Sequence, residues 1–116
     1  MKRINWSKLR KNIPSSLHLG KKVFYEVLWI AGFRSDKFDE KTYGETRYEL
    51  KQIVLNSDQI DKEATLTYWH EALHSISNEV GANLTETQVR ALENAFPIIR
   101  ELVLTLEGQM KKEARK

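Results

Sequence analysis

Apolar and polar positions alternate in the first half of the chain, which is the pattern of β-strands with one buried face. Residues 16–19 (Ser-Leu-His-Leu) alternate strictly, and after a glycine-containing turn residues 22–30 are rich in β-branched and aromatic side chains. These two segments are predicted to form a β-hairpin. A third strand is predicted over residues 46–55. Its early and late apolar positions have opposite parity, which indicates a bulge near Lys51 and Gln52.

In the second half of the chain the apolar residues recur at intervals of three and four, the period of an amphipathic helix. Two helices are predicted, over residues 59–80 and 86–106. Gly81 suits the C-terminal cap of the first helix. The segment 85–88 (Thr-Glu-Thr-Gln) fits a capping box at the start of the second. Pro97 has no backbone N–H, so a kink or a break is expected there.

These elements predict an α+β domain in which a small antiparallel sheet of about three strands is followed by two helices. The chain has 116 residues, so residues 1–116 are expected to form a single domain. Residues 31–42 are polar and are predicted to form a loop. Residues 1–14 are predicted to form an arm or a short helix.

The net charge of +3 is concentrated at the two ends of the chain. Residues 1–11 contain five basic residues and no acid, and residues 108–116 contain four basic residues and one acid. We interpret residues 1–14 and 108–116 as flexible, solvated basic termini. Trp6 lies in the first basic run and could stack on a base, so nucleic-acid binding is an alternative. Nothing in the middle of the chain continues that pattern, so nucleic acid is not the expected partner.

Composition also excludes several classes of protein. The chain has no cysteine, which excludes disulfides, iron–sulfur clusters and thiol catalysis. No apolar run approaches the 18 or more residues that a membrane span needs, so no membrane partner is expected. The basic N-terminus has no apolar segment behind it and does not resemble a secretory signal. The expected location is the cytoplasm.

The most informative motif is His70-Glu71-Ala72-Leu73-His74, within the first predicted helix. Residues four apart lie on one helical face with Cβ atoms about 5–6 Å apart, so both imidazoles can reach one metal ion. Zinc accepts imidazole nitrogen at about 2.0–2.1 Å. Glu71 points elsewhere and cannot join this ligand pair, but it can act as a base on water that the metal activates.

A catalytic zinc site needs a third protein ligand. The one other histidine, His18, lies far upstream in a predicted strand and is interpreted as a surface or packing residue. Carboxylates are the remaining source, and the candidates are Glu79, Glu86 and Glu93. If the two helices are symmetric about a turn near residue 82, Glu93 is level with the histidines. Glu86 is then too close to the turn, unless the first helix ends early.

At this point the chain resembles the small zincin-type metallopeptidases, gluzincin-like and carrying HExxH, that phages and bacteria encode. The resemblance covers residues 43–106. It comprises Tyr43-Gly-Glu-Thr, the strand ending Gln52-Ile-Val-Leu-Asn-Ser, Ala64-Thr-Leu before the HExxH motif, and the segment from Leu84 to Glu93. In such families the third ligand has the form Glu-x-x-small. Glu86-Thr-Gln-Val89 has that form and Glu93-Asn-Ala-Phe96 does not, so the resemblance favours Glu86 while the turn geometry favours Glu93.

The resemblance implies Zn2+ as the cofactor, peptide bonds as the substrate and Glu71 as the catalytic base. It also implies a bacterial cell, or a phage-infected one, as the setting. An edge strand beside the metal helix would bind the substrate as an added strand. The candidate for that edge is the segment between Tyr48 and Leu55.

A donor for the oxyanion is also usual in such chemistry. The available side chains are those of Tyr43, Tyr48, Tyr68 and Arg90. Each of them is more often structural than catalytic. The alternative to an active peptidase is a catalytically idle, zinc-stabilised domain that binds a partner, including a nucleic-acid-associated one.

Overall fold

Four helices and four strands occupy residues 3–20, 22–34 and 43–114, the part of the chain that this computed structural model describes. In chain order they are α1 (Trp6–Lys11), β1 (Ser16–His18), β2 (Phe24–Ile30), β3 (Gly44–Arg47), β4 (Gln52–Asn56), α2 (Asp61–Val80), α3 (Glu86–Asn94) and α4 (Phe96–Ala114). The predicted α+β class is therefore confirmed. The loop predicted over residues 31–42 lies outside the described residues from position 35 onward.

The sheet is mixed and has the strand order β1-β2-β4-β3. The β1–β2 and β3–β4 pairs are antiparallel, as in hairpins, whereas β2 and β4 pair in parallel. The prediction of about three antiparallel strands was therefore wrong in both count and direction. The chain reverses between β2 and β3 and again between β3 and β4, so β4 runs in the same direction as β2 and lies beside it.

The predicted third strand, residues 46–55, is in fact two strands joined by a turn. Tyr48, Glu49 and Leu50 form that turn, and Lys51 has a left-handed backbone with φ of 53°. The early and late apolar positions differ in parity because the chain reverses at this turn, and not because a strand is bulged. The turn has no glycine, asparagine or proline to mark it in the sequence.

The candidate edge strand between Tyr48 and Leu55 is consequently wrong as well. Its second half is β4, which lies between two strands and whose Ile53, Val54 and Leu55 are fully buried. Within the described residues the sheet edge beside α2 is β3, the strand that precedes the turn.

The hydrophobic core lies between the sheet and α2. Tyr25 and Val27 of β2 form a buried cluster with Ile53 and Leu55 of β4, and Tyr68 of α2 packs against it. The strand residues have odd numbers, as expected for one face of a pleated sheet. This packing holds α2 across β4 and β3.

The N-terminal helix α1 is attached to the body of the domain. The Arg10 guanidinium donates to the carbonyls of Ser57, at 2.8 Å, and Gln59, and pairs with Asp61 at 3.3 Å. The Trp6 ring stacks on Phe96 with centroids 5.8 Å apart. Of the two predictions for residues 1–14, the short helix is therefore the one found. Residues 6–11 are not a free arm, and Trp6 packs within the fold.

The helix signals in the sequence correspond well to the structure. Gly81 is the left-handed C-cap of α2, with φ of 67°. Thr85 and Gln88 form the predicted capping box of α3. The break expected at Pro97 separates α3 from α4 at Ala95. Beyond it α4 continues to Ala114, so the segment predicted to fray from residue 108 is helical that far.

Among the described residues, no helix is both long enough and apolar enough to cross a membrane.

Candidate metal centre

His70 and His74 lie one turn apart on α2 with their rings side by side. The ring centroids are 4.9 Å apart, and the two Nε2 atoms are 3.2 Å apart. Both side chains are about 16% exposed. Two nitrogens so close together at a partly open surface can share one metal ion.

Glu86, the first residue of α3, brings a carboxylate to the same two nitrogens. Its Oε1 lies 2.8 Å from His74 Nε2, and its Oε2 lies 3.3 Å from His70 Nε2. The three ligand atoms all lie within 4.8 Å of one another, so this group could hold a metal ion. The carboxylate is 62% exposed, which leaves one side of the cluster open to solvent.

The turn between α2 and α3 explains why Glu86 reaches the histidines. The Leu84 N–H donates to Ser77 Oγ at 2.9 Å, so the chain folds back over the last turn of α2. Residue 84 therefore lies level with residue 77, and Glu86 lies close to the level of His74. The expectation from symmetry that Glu93 lies level with the histidines is met at His70, whereas the expectation that Glu86 lies too close to the turn to reach them is wrong.

Glu93 also contacts His70, but at the other ring nitrogen. Its Oε2 lies 3.2 Å from His70 Nδ1. A carboxylate at this nitrogen fixes the tautomer and orientation of the ring, so that Nε2 carries the lone pair towards the cluster. The two glutamates that the sequence presented as alternatives therefore both lie at the site, where they can have different roles.

Glu79, the third carboxylate considered from the sequence, lies elsewhere. It forms an ion pair with Lys51 and accepts a hydrogen bond from the Tyr25 hydroxyl at 2.8 Å. The hydrogen bond from Lys51, followed by that from Tyr25, lowers the pKa of Glu79. This group joins the end of α2 to β2 and to the β3–β4 turn.

Glu71 is held in a buried position beside the cluster. Its residue is 8% exposed, and the Thr46 hydroxyl donates to its Oε1 at 2.8 Å. Burial raises the pKa of Glu71, while the Thr46 hydrogen bond and the two histidines act in the opposite direction. A carboxyl group in such surroundings is more easily protonated than one in water, which suits a group that accepts and returns a proton.

Gly44 allows β3 to approach α2 closely. A Cβ atom at this position would lie 2.6 Å from Thr67 Cγ2 and 3.2 Å from Glu71 Cγ, and the first of these distances is so short that the Thr67 side chain or the strand would have to shift. Sequence reasoning assigned no role to Gly44 or Thr46. The one signal in the sequence is weak. Gly44 and Thr46 are small residues at alternate positions of a strand, so they share one face of it. In the structure this is the face that packs on α2.

Tyr48 follows Gly44 and Thr46 in the same alternation, at the start of the turn. The residue is 40% exposed. Desolvation raises the pKa of its phenol, and the negative charges of Glu71 and Glu86 raise it further. The pKa of Tyr48 is thus raised in part by the negative charges of two glutamates at the candidate centre.

The three other candidates for an oxyanion donor, and the remaining histidine, lie less favourably. Tyr68 packs against the core. Tyr43 is 61% exposed, and Arg90 lies 3.9 Å from Glu86 on the outer surface of α3. His18 is exposed on β1, where its ring lies 5.6 Å from Phe24. None of these four side chains joins the three-residue cluster.

Two imidazole nitrogens and one carboxylate oxygen form a donor set that fits zinc and also other divalent transition metals. Comparison with protein-family models, with curated proteins and with solved structures finds no match for this chain.

Proposed function

We propose that this protein is a zinc-dependent metallopeptidase whose metal is held by His70, His74 and Glu86. The observation that carries the proposal is the position of Glu71. A metal site that only stabilises a fold needs no buried carboxylate beside it, whereas a hydrolytic site needs a base. Burial between α2 and β3 and the hydrogen bond from Thr46 are what an oriented base requires.

A zinc ion bound by these residues would supply a Lewis acid that polarises the scissile carbonyl and increases the acidity of water. Glu71 takes the proton from the attacking water and then delivers it to the leaving amine. Thr46 orients this carboxylate through Oε1, so Oε2 is the oxygen that exchanges the proton. Glu93 keeps the His70 ring in one tautomer.

The substrate class follows from the position of β3. This strand pairs with β4 on one side and forms the edge of the sheet in the described part of the chain. An open edge offers backbone hydrogen bonds to an extended peptide. Thr46, on the same strand, contacts Glu71, so a peptide added to β3 would pass close to the base. The proposed substrate is therefore an extended segment of a protein or peptide.

A zinc-stabilised domain without catalysis, acting through a bound partner, is the second candidate. The observation that favours it is the run of exposed apolar residues along the second half of α4, a common feature of protein-binding surfaces. Nucleic acid as that partner has less support, because Trp6 and Arg10 are engaged in packing and hydrogen bonds within the domain.

Two measurements test the proposal directly. Elemental analysis of the purified protein is expected to give one zinc per chain. The zinc-loaded protein is expected to cleave members of a mixed library of quenched fluorescent peptides and to lose this activity with a chelator. Failure to bind zinc would refute the metal site. Stoichiometric zinc with no cleavage of any peptide or unfolded protein would favour the idle domain.

The different roles of Glu86 and Glu93 lead to a prediction for zinc affinity. Glu86→Ala is expected to weaken zinc binding by more than about 100-fold, because a direct ligand matters more than a supporting group. Glu93→Ala is expected to cost about 10- to 100-fold, since it removes only the contact with His70 Nδ1. Glu93→Gln keeps an oxygen acceptor and should lose less. Competition with a chromogenic chelator measures all three. The reverse order of Glu86 and Glu93 would make Glu93 the ligand.

Tyr48→Phe is expected to lower kcat by about 100-fold, the low end of the range for loss of an oxyanion donor. Zinc affinity and melting temperature should not change, because Tyr48 is 40% exposed and is not one of the three proposed ligands. Tyr43→Phe, at an exposed tyrosine five residues earlier, is the matched control. If Tyr48→Phe retains the full kcat, the phenol does not stabilise the transition state.

A further inference from the structure

Lys51 has an unfavourable backbone conformation at the end of the β3–β4 turn. Its φ of 53° lies in the left-handed region, which glycine and asparagine adopt readily and which a residue with a long side chain rarely adopts. Such conformations persist where the surrounding structure holds them in place, and they cluster at functional sites. The contacts of the Lys51 side chain are therefore expected to explain why a lysine occupies this position.

These contacts attach the turn to the end of α2. The Lys51 ammonium forms an ion pair with Glu79 and lies 5.3 Å from the centre of the Tyr25 ring. The Tyr25 hydroxyl donates to the same Glu79 oxygen at 2.8 Å. The Lys51 backbone is fixed as well, because its N–H donates to the Tyr48 carbonyl at 3.3 Å and its carbonyl accepts from the Glu26 N–H at 2.9 Å. Lys51 is thus held between β2 and α2.

A second attachment between this segment and α2 lies at the proposed base. The Thr46 hydroxyl donates to Glu71 at 2.8 Å, as described above. Glu71 and Glu79 are eight residues apart, which places them about 12 Å apart along the axis of α2. The segment from Thr46 to Lys51 therefore runs alongside α2 and is attached to it at both ends.

Tyr48 lies between the two attachments. It follows Thr46 by two residues, in the alternation that turns Thr46 towards α2. Desolvation raises the pKa of the Tyr48 phenol, and the charges of Glu71, Tyr25 and Glu86 raise it further. The charges that act on Tyr48 thus come from both attachments and from a proposed metal ligand.

We propose that Lys51 and Glu79 are positioning residues that hold the Tyr48 phenol beside the metal centre. This role rests on the metallopeptidase function proposed above, in which the phenol donates to the oxyanion. The turn has no glycine, asparagine or proline to fix its shape, so the ion pair with α2 fixes it instead. A displaced donor stabilises the transition state less well while the substrate still binds. Loss of the pair should therefore lower kcat and leave KM unchanged.

The first test separates the backbone of Lys51 from its side chain. Lys51→Gly suits the left-handed backbone but lacks the ammonium. It is expected to lower kcat by about 10- to 100-fold, since a misplacement of about 1 Å can cost about 100-fold. Zinc affinity and melting temperature should not fall, because a partly exposed ion pair contributes little to stability.

Two further variants and a control complete this measurement. Glu79→Ala should lower kcat as much as Lys51→Gly does, because it removes the other half of the pair. Lys51→Arg keeps a cation and should retain the wild-type kcat. The matched control is Glu49→Gln, at an exposed glutamate in the same turn, which should also retain it. Full kcat in Lys51→Gly overturns the proposal.

A double-mutant cycle tests whether the effect on kcat acts through Tyr48. In the Tyr48→Phe background the donor is already absent, so Lys51→Gly should have no further effect on kcat. An equal loss from Lys51→Gly in both backgrounds would show that Lys51 acts elsewhere, and the proposal would fail.

A spectroscopic measurement separates the positioning role from hydrolysis. The chain has four tyrosines, so labelling with fluorotyrosine gives four fluorine resonances, and the one lost in Tyr48→Phe belongs to Tyr48. Co2+ suits the same donor set as zinc and, being paramagnetic, shifts the resonance of a nearby fluorine by an amount that falls steeply with distance. The Tyr48 resonance is expected to shift strongly with Co2+ in wild type and in Lys51→Arg, and much less in Lys51→Gly.

The outcomes of the Co2+ measurement are distinct. Equal shifts of the Tyr48 resonance in all three proteins would refute the positioning role even if the protein is an active peptidase. The expected pattern in a protein that cleaves no peptide would support the positioning and refute only hydrolysis. A wild type that binds neither Co2+ nor zinc would refute the metal centre and, with it, the positioning role.

Discussion

Glu71→Gln is expected to lower the rate of peptide hydrolysis by at least about 100-fold while the protein still folds and binds zinc. General acid–base catalysis by a positioned carboxylate contributes about 10²–10⁴-fold, and an amide cannot take the proton from the attacking water. The glutamine oxygen can still accept the hydrogen bond from Thr46 that now reaches Glu71 Oε1. The glutamine also has no charge to bury, so no loss of stability is expected.

The measurement is kcat on the best peptide of the library, together with zinc content and melting temperature for each variant. Glu63→Gln provides the matched control, since Glu63 is an exposed glutamate on the same helix. Undiminished cleavage by Glu71→Gln would show that Glu71 is not the base. Loss of zinc from this variant would assign Glu71 to the ligand set instead.

His70→Ala and His74→Ala are each expected to abolish useful zinc binding and, with it, the stability that zinc confers. Binding to the folded state alone stabilises a protein by about 2.7 kcal/mol when the free metal is at 100 times its Kd. For a domain of this size that corresponds to about 10 °C in Tm. Zinc should raise the Tm of wild type by about this amount and leave the Tm of either variant unchanged.

Thermal unfolding with added zinc and with a strong chelator measures this effect. His18→Ala is the control, because His18 is exposed on β1 and outside the cluster. This variant should show the full zinc-dependent shift. If wild type melts at the same temperature with zinc and with the chelator, zinc contributes nothing to the fold and the ligand assignment fails.

The helical features were predictable because the signals for them are local. Gly81 supplies the left-handed cap that ends α2, and the Thr85–Gln88 capping box starts α3 within four residues. Pro97 has no backbone N–H because of its ring. It therefore interrupts a continuous helix but is tolerated in the first turn of α4. In the same way, the spacing of His70 and His74 placed their rings together without any knowledge of the rest of the fold.

The sheet was less predictable because its strand order depends on contacts between distant segments. Nothing in residues 48–51 has the usual chemistry of a turn, so the sequence predicts one strand where the structure has two. For the same reason, the edge strand predicted between Tyr48 and Leu55 falls largely on β4, which lies between two strands. Parallel pairing of β2 with β4 leaves no local trace at all, because each strand is compatible with either direction.

The position of the candidate third ligand depends on the shape of one short loop. The symmetry argument correctly places Glu93 level with His70. It misses Glu86, because the hydrogen bond from Leu84 to Ser77 folds the chain back over the end of α2. That bond is made by a backbone N–H and a serine hydroxyl, groups too common to be read as a signal. The result brings Glu86 to the histidines and Glu93 to the far side of His70.

The hydrogen bond between Thr46 and Glu71 divides the centre into a local and a non-local part. His70, His74 and Glu86 all belong to one helical hairpin, α2 with the start of α3. The orientation of Glu71, in contrast, depends on a strand 25 residues away. Local contacts form early in folding and long-range ones later. A chain whose hairpin has formed while β3 is still detached would therefore already capture zinc but would lack an oriented base. Under the proposed function, the chain would therefore bind its metal before it could cleave a peptide.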